Sequence, residues 1–360
     1  MDNQQKKILL TGGGTGGSVT PLLAIAEELQ AQSGEGEYSF LWIGTQNGIE
    51  KDMVEKEGII FKAIESGKLR RYFALQNFID PFLIIKGFYQ SLLIIVKWKP
   101  SLIISAGSFV ATPVVVAGWL CRVPIVVHQL DAVPGLSNRL AAPFAKVVTV
   151  TFEKTLAAYG KKAVLTGNPI RPRLLGLYLS LHAKLKGDSR ELPKVLVLGG
   201  GTGAEYINQL LEKSLAELTS FCQLVHVTGK NKKISQTDSP NYQGYEFLEL
   251  SDLAREYAAA DVVITRAGMG TLTELANLGK PTIIIPIPES HQEDNARVFQ
   301  EKQAALVLRQ SDLSPELFVK FLHRFIDDKK LWEELSVNIK KVLRDDAISN
   351  ILAIIKQYIK

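Results

Sequence analysis

Two glycine turns, GGGTGGS from Gly12 to Ser18 and GGGTGAE from Gly199 to Glu205, each follow an apolar, β-rich run and precede a helical stretch. The runs are 6–11 and 194–198, and the helical stretches 21–30 and 205–218. A buried parallel strand feeding a glycine turn and a helix N-terminus makes a phosphate-binding corner. The bare backbone lets an anion approach N–H groups that carry the positive end of the helix dipole. A third corner, Thr265-Arg266-Ala267-Gly268-Met269-Gly270-Thr271-Leu272-Thr273-Glu274, also closes a strand and opens a helix, which favours an anionic diphosphate. Glu274, one turn into that helix, is placed to accept hydrogen bonds from ribose hydroxyls. The polar cluster after the next strand, 286–295, includes Gln292 and Asn295, whose amides both donate and accept and so suit sugar hydroxyls.

Other nucleotide chemistries fit less well. Gly12, Gly14 and Gly17 satisfy G-x-G-x-x-G, but a dinucleotide site also wants an acidic residue about 20 positions on, at the tip of the second strand. That strand ends Leu41-Trp42-Ile43-Gly44-Thr45 with no carboxylate, which argues against an oxidoreductase. Neither glycine turn is followed by the Lys-Ser/Thr pair of a Walker loop.

The elements that must position these residues alternate strand and helix. Strands are predicted at 7–10, 38–43, 102–105, 125–128 and 147–150, with helices at 21–30, 48–57, 82–97 and 113–120. The second half repeats the plan, with strands at 195–198, 223–227, 245–247, 262–265 and 282–286 and helices at 207–218, 252–260, 270–278 and 295–302. The fold class expected is α/β, with two Rossmann-like, doubly wound parallel-sheet domains facing a central cleft that holds a nucleotide-bearing ligand. A chain of 360 residues fits two domains of roughly 150–200 residues. The link between them is read near 165–173, where Gly167, Asn168, Pro169 and Pro172 cluster, and 314–360 reads as helical throughout. Cys121 and Cys222 are the only cysteines, so neither a disulfide framework nor a cysteine metal site is expected. Met1 leads through a polar stretch into the first strand, which predicts a cytoplasmic enzyme without a signal peptide.

The segment 67–99 interleaves aromatic and aliphatic residues with cations, among them Lys68, Arg70, Arg71, Phe82, Phe88 and Trp98; its only acid is Asp80. Pro81, Lys86 and Gly87 interrupt its apolar runs, so none reaches the roughly 20 residues of a membrane span. Two readings stand: an amphipathic surface that dips into an anionic leaflet, or a core helix with a solvated basic edge. No nucleic-acid module is present, and nucleic acid is not an expected partner.

In this order, TGGGTGG with Pro21, HQLDAVPGLSN (His128 to Asn138), GNPIR (Gly167 to Arg171), the second glycine turn, RAGMGTLTE and HQEDNA make the chain similar to the MurG family. These are the undecaprenyl-diphospho-muramoylpentapeptide β-N-acetylglucosaminyltransferases of glycosyltransferase family 28, with a GT-B fold. The resemblance covers nearly the whole chain. It implies transfer of N-acetylglucosamine from UDP-N-acetylglucosamine to lipid I, giving lipid II with inversion, at the cytoplasmic face of the membrane, in peptidoglycan synthesis. It implies an acceptor and membrane-associating domain over 1–165, a donor domain over 166–340, and a last helix over 341–360 that packs back on the first. Other cell-wall synthesis enzymes are implied as partners, and no cofactor.

On the donor side the resemblance places Thr15, Gly16, Gly17, Asp131 and Gly201 near the UDP-sugar. Arg171 would neutralise its diphosphate and Leu250, or Leu248, would pack near the uracil. Met269, Gly270, Thr271, Leu272, Thr273 and Glu274 would wrap ribose and phosphates, and Gln292 and Asn295 would read the sugar. Asn138, together with the basic and aromatic residues of 67–99, would serve the acceptor and the membrane. No D-x-D occurs, so helix N-termini and Arg171 rather than a metal are expected to carry leaving-group charge.

The chain departs from the family pattern at several positions. Ser18 holds the catalytic position where a histidine usually follows TGGGTGG, but a serine hydroxyl is no general base at neutral pH, and the alternative reading is a cap for the next helix. The usual HEQN-like stretch reads His128-Gln129-Leu130-Asp131, Gly201-Thr202 replaces Ser-Gln, and Ser108-Phe109 replaces Gly-Tyr. Base assistance is therefore expected from Asp131 or His128, the titratable groups of that motif. The same departures admit a catalytically weak paralogue that binds UDP-sugar or lipid carrier, or a related glycolipid glycosyltransferase with another acceptor such as diacylglycerol.

Overall fold

The computed structural model describes residues 5–34, 36–67, 80–185, 191–199, 204–229, 232 and 238–359. The chain divides into two compact units, Met1–Arg171 with Arg344–Lys360, and Pro172–Leu343.

The first unit is built on strands β1 (Lys6–Thr11), β2 (Tyr38–Gly44), β3 (Ile60–Ala63), β4 (Leu102–Ser105), β5 (Ile125–Gln129), β6 (Val147–Val150) and β7 (Ala163–Leu165). They pair in parallel in the order β3-β2-β1-β4-β5-β6-β7. Helices α1 (Thr20–Gln32), α2 (Ile49–Glu55), α3 (Asp80–Trp98), α4 (Ala111–Leu120), α5 (Leu136–Ala141) and α6 (Leu156–Tyr159) supply the crossovers. A sheet covered on both faces needs strands that are apolar throughout. Ile8-Leu9-Leu10, Leu102-Ile103-Ile104 and Ile125-Val126-Val127 meet that need and are almost wholly buried.

The second unit opens with helix α7 (Pro172–Leu185), which begins inside the segment read as the link, with Pro172 at its first position. Its strands β8 (Lys194–Leu198), β9 (Gln223–Val227), β10 (Tyr242–Tyr245), β11 (Val262–Thr265), β12 (Thr282–Ile284) and β13 (Leu306–Val307) are again parallel, in the order β10-β9-β8-β11-β12-β13. The remaining helices are α8 (Glu205–Leu218), α9 (Leu250–Ala259), α10 (Met269–Leu278), α11 (His291–Glu301), α12 (Pro315–Asp327), α13 (Lys329–Ile339) and α14 (Ala347–Tyr358). Helix α14 belongs to the first unit, where it packs on α1 and Lys356 Nζ donates to Gln32 Oε1 at 2.8 Å.

Three sequence expectations are corrected. The strand read at 245–247 lies at Tyr242–Tyr245, where Tyr242 pairs with Leu224. Helix α11 begins at His291 rather than Asn295 because the Ser290 hydroxyl caps it, accepting from Gln292 N at 3.2 Å. The tail 314–360 is three helices; Ser314 caps α12 and Asp328 caps α13, each accepting an amide three residues on.

In each sheet the strand order reverses beside the first strand, between β1 and β4 and between β8 and β11. Crevices at the carboxyl ends of strands at such a reversal are where open α/β sheets bind ligands. Both glycine turns begin at these ends.

Candidate functional site

At the carboxyl end of β1, the turn 12–18 leaves Gly14 and Thr15 exposed and Gly16 and Gly17 half-buried. Two side chains hold it. Glu50, at the start of α2 and wholly buried, accepts from Gly14 N at 3.1 Å and from Thr45 N at 2.9 Å. Its carboxylate fills the space beside Gly13 and Gly48, where an added Cβ would lie 2.5 and 2.0 Å from its oxygens. Ser18 holds the other side: its hydroxyl donates to Gly13 O at 3.0 Å and Thr15 O at 3.2 Å. It does not cap α1, whose N-cap position is Val19. A carboxylate thus does stand near the ends of β1 and β2, but it is tied to backbone and Thr45 rather than open to a ribose.

Beyond β5, His128 is 1% exposed. Its Nδ1 meets Thr149 Oγ1 at 2.8 Å and its Nε2 meets Asn168 Oδ1 at 2.8 Å. Burial pulls its pKa down to about 4, outweighing the Asn168 bond that raises it. With both ring nitrogens engaged inside the core, His128 anchors β5 to β6 and to Asn168. Gln129 is a hub: its amide donates to Asp131 O at 2.9 Å, and its Oε1 accepts from Asn138 Nδ2 at 2.8 Å and Tyr159 OH at 2.9 Å. Asn138 Nδ2 also donates to His128 O at 3.0 Å, while its Oδ1 is buried without a partner among the described residues. Burial, with help from the Asp131 charge, pushes the Tyr159 hydroxyl up to about 12 and keeps it a donor. Asp131 itself is half-buried on the loop that follows β5.

Arg171 closes the first unit's GNPIR segment. It is 8% exposed, its Nε donates to Glu27 Oε1 at 2.7 Å, and its Nη2 bonds Glu27 and lies 2.7 Å from Glu57 Oε1. Two carboxylates already neutralise the guanidinium, which therefore fixes the GNPIR segment to α1 and to the residues after α2.

In the second unit, α10 starts at the carboxyl end of β11, with Gly268 as its N-cap. Gly270 and Thr271 are half-exposed, whereas Met269, Leu272 and Thr273 are buried and Thr273 Oγ1 donates to Met269 O at 2.7 Å. The side chains of these three pack inward, which leaves the backbone N–H groups of the first turn of α10 to face a ligand. Glu274 Oε2 accepts from Tyr257 OH at 2.7 Å. Gln292 Oε1 accepts from Ala267 N and Ile287 N, both at 3.2 Å, and Asn295, fully buried, donates to Ala267 O at 3.1 Å. Asn295 thus ties α11 to the turn before α10. Leu250 opens α9 half-buried, and Leu248 is buried. Gly201, Lys68, Arg70 and Arg71 lie outside the described residues.

The chain matches the glycosyltransferase family 28 N-terminal domain over residues 8–150 and the family 28 C-terminal domain over residues 194–350. The chain belongs to glycosyltransferase family 28. A Clostridium botulinum (strain Hall) protein named UDP-N-acetylglucosamine–N-acetylmuramyl-(pentapeptide) pyrophosphoryl-undecaprenol N-acetylglucosamine transferase is 38% identical, over 99% of this chain and 100% of its own. The Clostridium tetani protein of the same name is 37% identical over 98% of each. Among solved structures, Acinetobacter baumannii MurG superposes with a TM-score of 0.72 at 26% identity, over 98% of this chain and 99% of that one. The fold of this family 28 transferase is GT-B.

Two residues of the transferase went unassigned in the sequence reading. Glu50 gave no signal, because it reaches the glycine turn from α2. Arg266, at the end of β11, is 8% exposed and donates from Nη1 to Ile285 O at 2.9 Å and Pro286 O at 3.0 Å, and from Nη2 to Gln310 Oε1 at 3.0 Å. Burial lowers its pKa, and it has no ion-pair partner among the described residues. Its position within RAGMGTLTE was the available clue.

Helix α3 of the transferase is 19 residues long, with mean hydropathy 1.3 and 17% of that stretch buried, so by length and composition it could cross a membrane. The chain stays helical through Lys86 and Gly87, and glycine at 87 makes room for Glu65 O, which passes 2.1 Å from where a Cβ would sit. Gly87, Ser91 and Ile95 face inward, and Phe88 and Trp98 pack on the core. Phe88 and Trp98 are thus half-buried, between the inner and outer faces of the helix. Phe82, Ile85, Tyr89, Leu93 and Val96 recur at helical spacing on the outer face, and Phe82 is 72% exposed.

Proposed function

We propose that this protein transfers N-acetylglucosamine from UDP-N-acetylglucosamine to the lipid-linked muramoyl-pentapeptide lipid I, with inversion. The observation that carries the reading is the end-to-end correspondence with the Clostridium botulinum transferase, with neither chain left over. The first unit takes the acceptor and the second the donor. An acceptor hydroxyl attacks the anomeric carbon, the bond from that carbon to the diphosphate oxygen breaks, and the proton passes to a base. Asp131 is that base: of the two candidates, it alone combines a carboxylate with partial exposure, His128 being sealed in the core. Negative charge developing on UDP is met by the N-terminus of α10 and by Arg266, whose guanidinium lies at the same strand end without a counter-ion among the described residues. Arg171 supports this only indirectly, by holding GNPIR.

The outer face of α3 supports docking on the cytoplasmic face of the membrane. Its exposed apolar stripe is flanked by Lys86, Lys97 and Lys99, which suit an anionic leaflet. The test compares acceptors: UDP release is followed with a short-chain lipid I analogue, with diacylglycerol, and with neither. Release dependent on the lipid I analogue is expected. Release with diacylglycerol alone would assign the enzyme a different glycolipid acceptor.

A further inference from the structure

Ser108 carries two costs that the fold itself does not require. It lies between β4 and α4 with φ of 80°, a backbone conformation that glycine adopts freely and serine does not. Its Oγ is buried and has no hydrogen-bond partner among the described residues. The turn does not depend on that hydroxyl. The Ser108 carbonyl is fixed by Ala111 N at 3.1 Å and Ser137 Oγ at 2.5 Å, bonds a glycine would keep.

The surroundings give the hydroxyl a direction. A Cβ placed on Gly14, an exposed residue of the first glycine turn, would stand 3.5 Å from Ser108 Oγ. A Cβ placed on the neighbouring Gly107 would stand 2.9 Å from Asn138 Oδ1, a second buried oxygen without a partner among the described residues. A donor and an acceptor without partners among the described residues therefore lie close together, Ser108 on the turn after β4 and Asn138 in the first turn of α5, beside the end of β4 where the strand order reverses. Strained backbone and unmet polar atoms held together in this way are features of ligand sites.

We propose that Ser108 is an acceptor-binding residue. Its hydroxyl donates to a hydroxyl or amide oxygen of the sugar–peptide head of the acceptor, with Asn138 Oδ1 accepting beside it. The inference rests on the assignment of the acceptor to the first unit.

The test uses the full chain as Ser108→Gly and Ser108→Ala, with binding of a soluble short-chain lipid I analogue and of UDP-N-acetylglucosamine measured by calorimetry alongside Tm. Both variants should bind the analogue about 3- to 10-fold more weakly, the range for one lost hydrogen bond, with donor affinity held. Ser108→Gly should also melt several degrees higher than Ser108→Ala, because only glycine relieves the backbone. Analogue affinity within about twofold of native in both variants, or parallel loss of donor and acceptor affinity, overturns the inference. Transfer by the native chain is scored separately. Acceptor binding without transfer counts against the catalytic reading alone, and a native chain that binds no acceptor overturns both.

Discussion

Arg171 and Glu27, 144 positions apart in the sequence, meet inside the first unit, with the guanidinium Nε donating to the carboxylate at 2.7 Å. Glu57 completes a buried triad around the same guanidinium. Removing one member of such a set leaves buried charge uncompensated, so Arg171→Met should destabilise the first unit by about 3–5 kcal/mol. Denaturant unfolding checks this, and a loss of under about 1 kcal/mol would mean the triad is solvated.

Asp131 and His128 give opposite predictions for catalysis. Asp131→Asn should lower kcat by roughly 10²–10⁴-fold at unchanged Tm, the range for loss of a general base. His128→Gln should lower Tm while the kcat of the folded fraction changes far less. Steady-state kinetics on both variants decides, and a fully active Asp131→Asn enzyme removes Asp131 from the mechanism.

Acid should weaken both units through their buried histidines. Burial lowers His128 and His226 from the ordinary 6.5 to about 4, so between those values the unfolded chain binds protons that the folded chain refuses. Stability is therefore complete above about pH 6.5 and falls as pH drops toward 4, by on the order of 3 kcal/mol per histidine. Melting curves from pH 7 to 4 should show this slope, smaller in His226→Gln. A flat profile would contradict the burial of both rings.

Glu50 should matter more than its distance from the glycine motif suggests. Glu50→Gln keeps the bulk but turns one acceptor into a donor facing Gly14 N or Thr45, which should cost about 1–3 kcal/mol and disorder the turn that carries Thr15 and Ser18. Chemical denaturation together with acceptor KM is the check; an unchanged KM would detach the turn from the acceptor.

The outer face of α3 gives a surface prediction. Phe82→Ser with Leu93→Ser should reduce sedimentation with anionic vesicles by roughly 10-fold while leaving stability within about 0.5 kcal/mol, since both side chains are exposed. Unchanged sedimentation would assign the stripe to another partner.

These contrasts follow what a sequence can carry. The strand–turn–helix corners were legible because buried parallel strands must be apolar throughout and glycine turns stand out beside them. Which face of α3 points outward was not, since Phe88 and Tyr89 are adjacent aromatics and only packing on the core separates them. His128 and Asn295 look like ligands in sequence but bond inward, to Asn168 and to Ala267 O. The contacts of Arg171 were not legible for a related reason: its carboxylate partners come from α1 and from just beyond α2, and no local pattern announces contacts of that range.

The most direct test is transfer itself. Radiolabelled UDP-N-acetylglucosamine and a short-chain lipid I analogue are given to the native chain, with Ser18→His alongside. The account predicts label in a β-linked disaccharide on the lipid from the native chain, with no requirement for histidine at position 18. Label remaining on the nucleotide, with donor and acceptor both bound, would contradict it; rescue by Ser18→His would then locate the lost step at the first glycine turn.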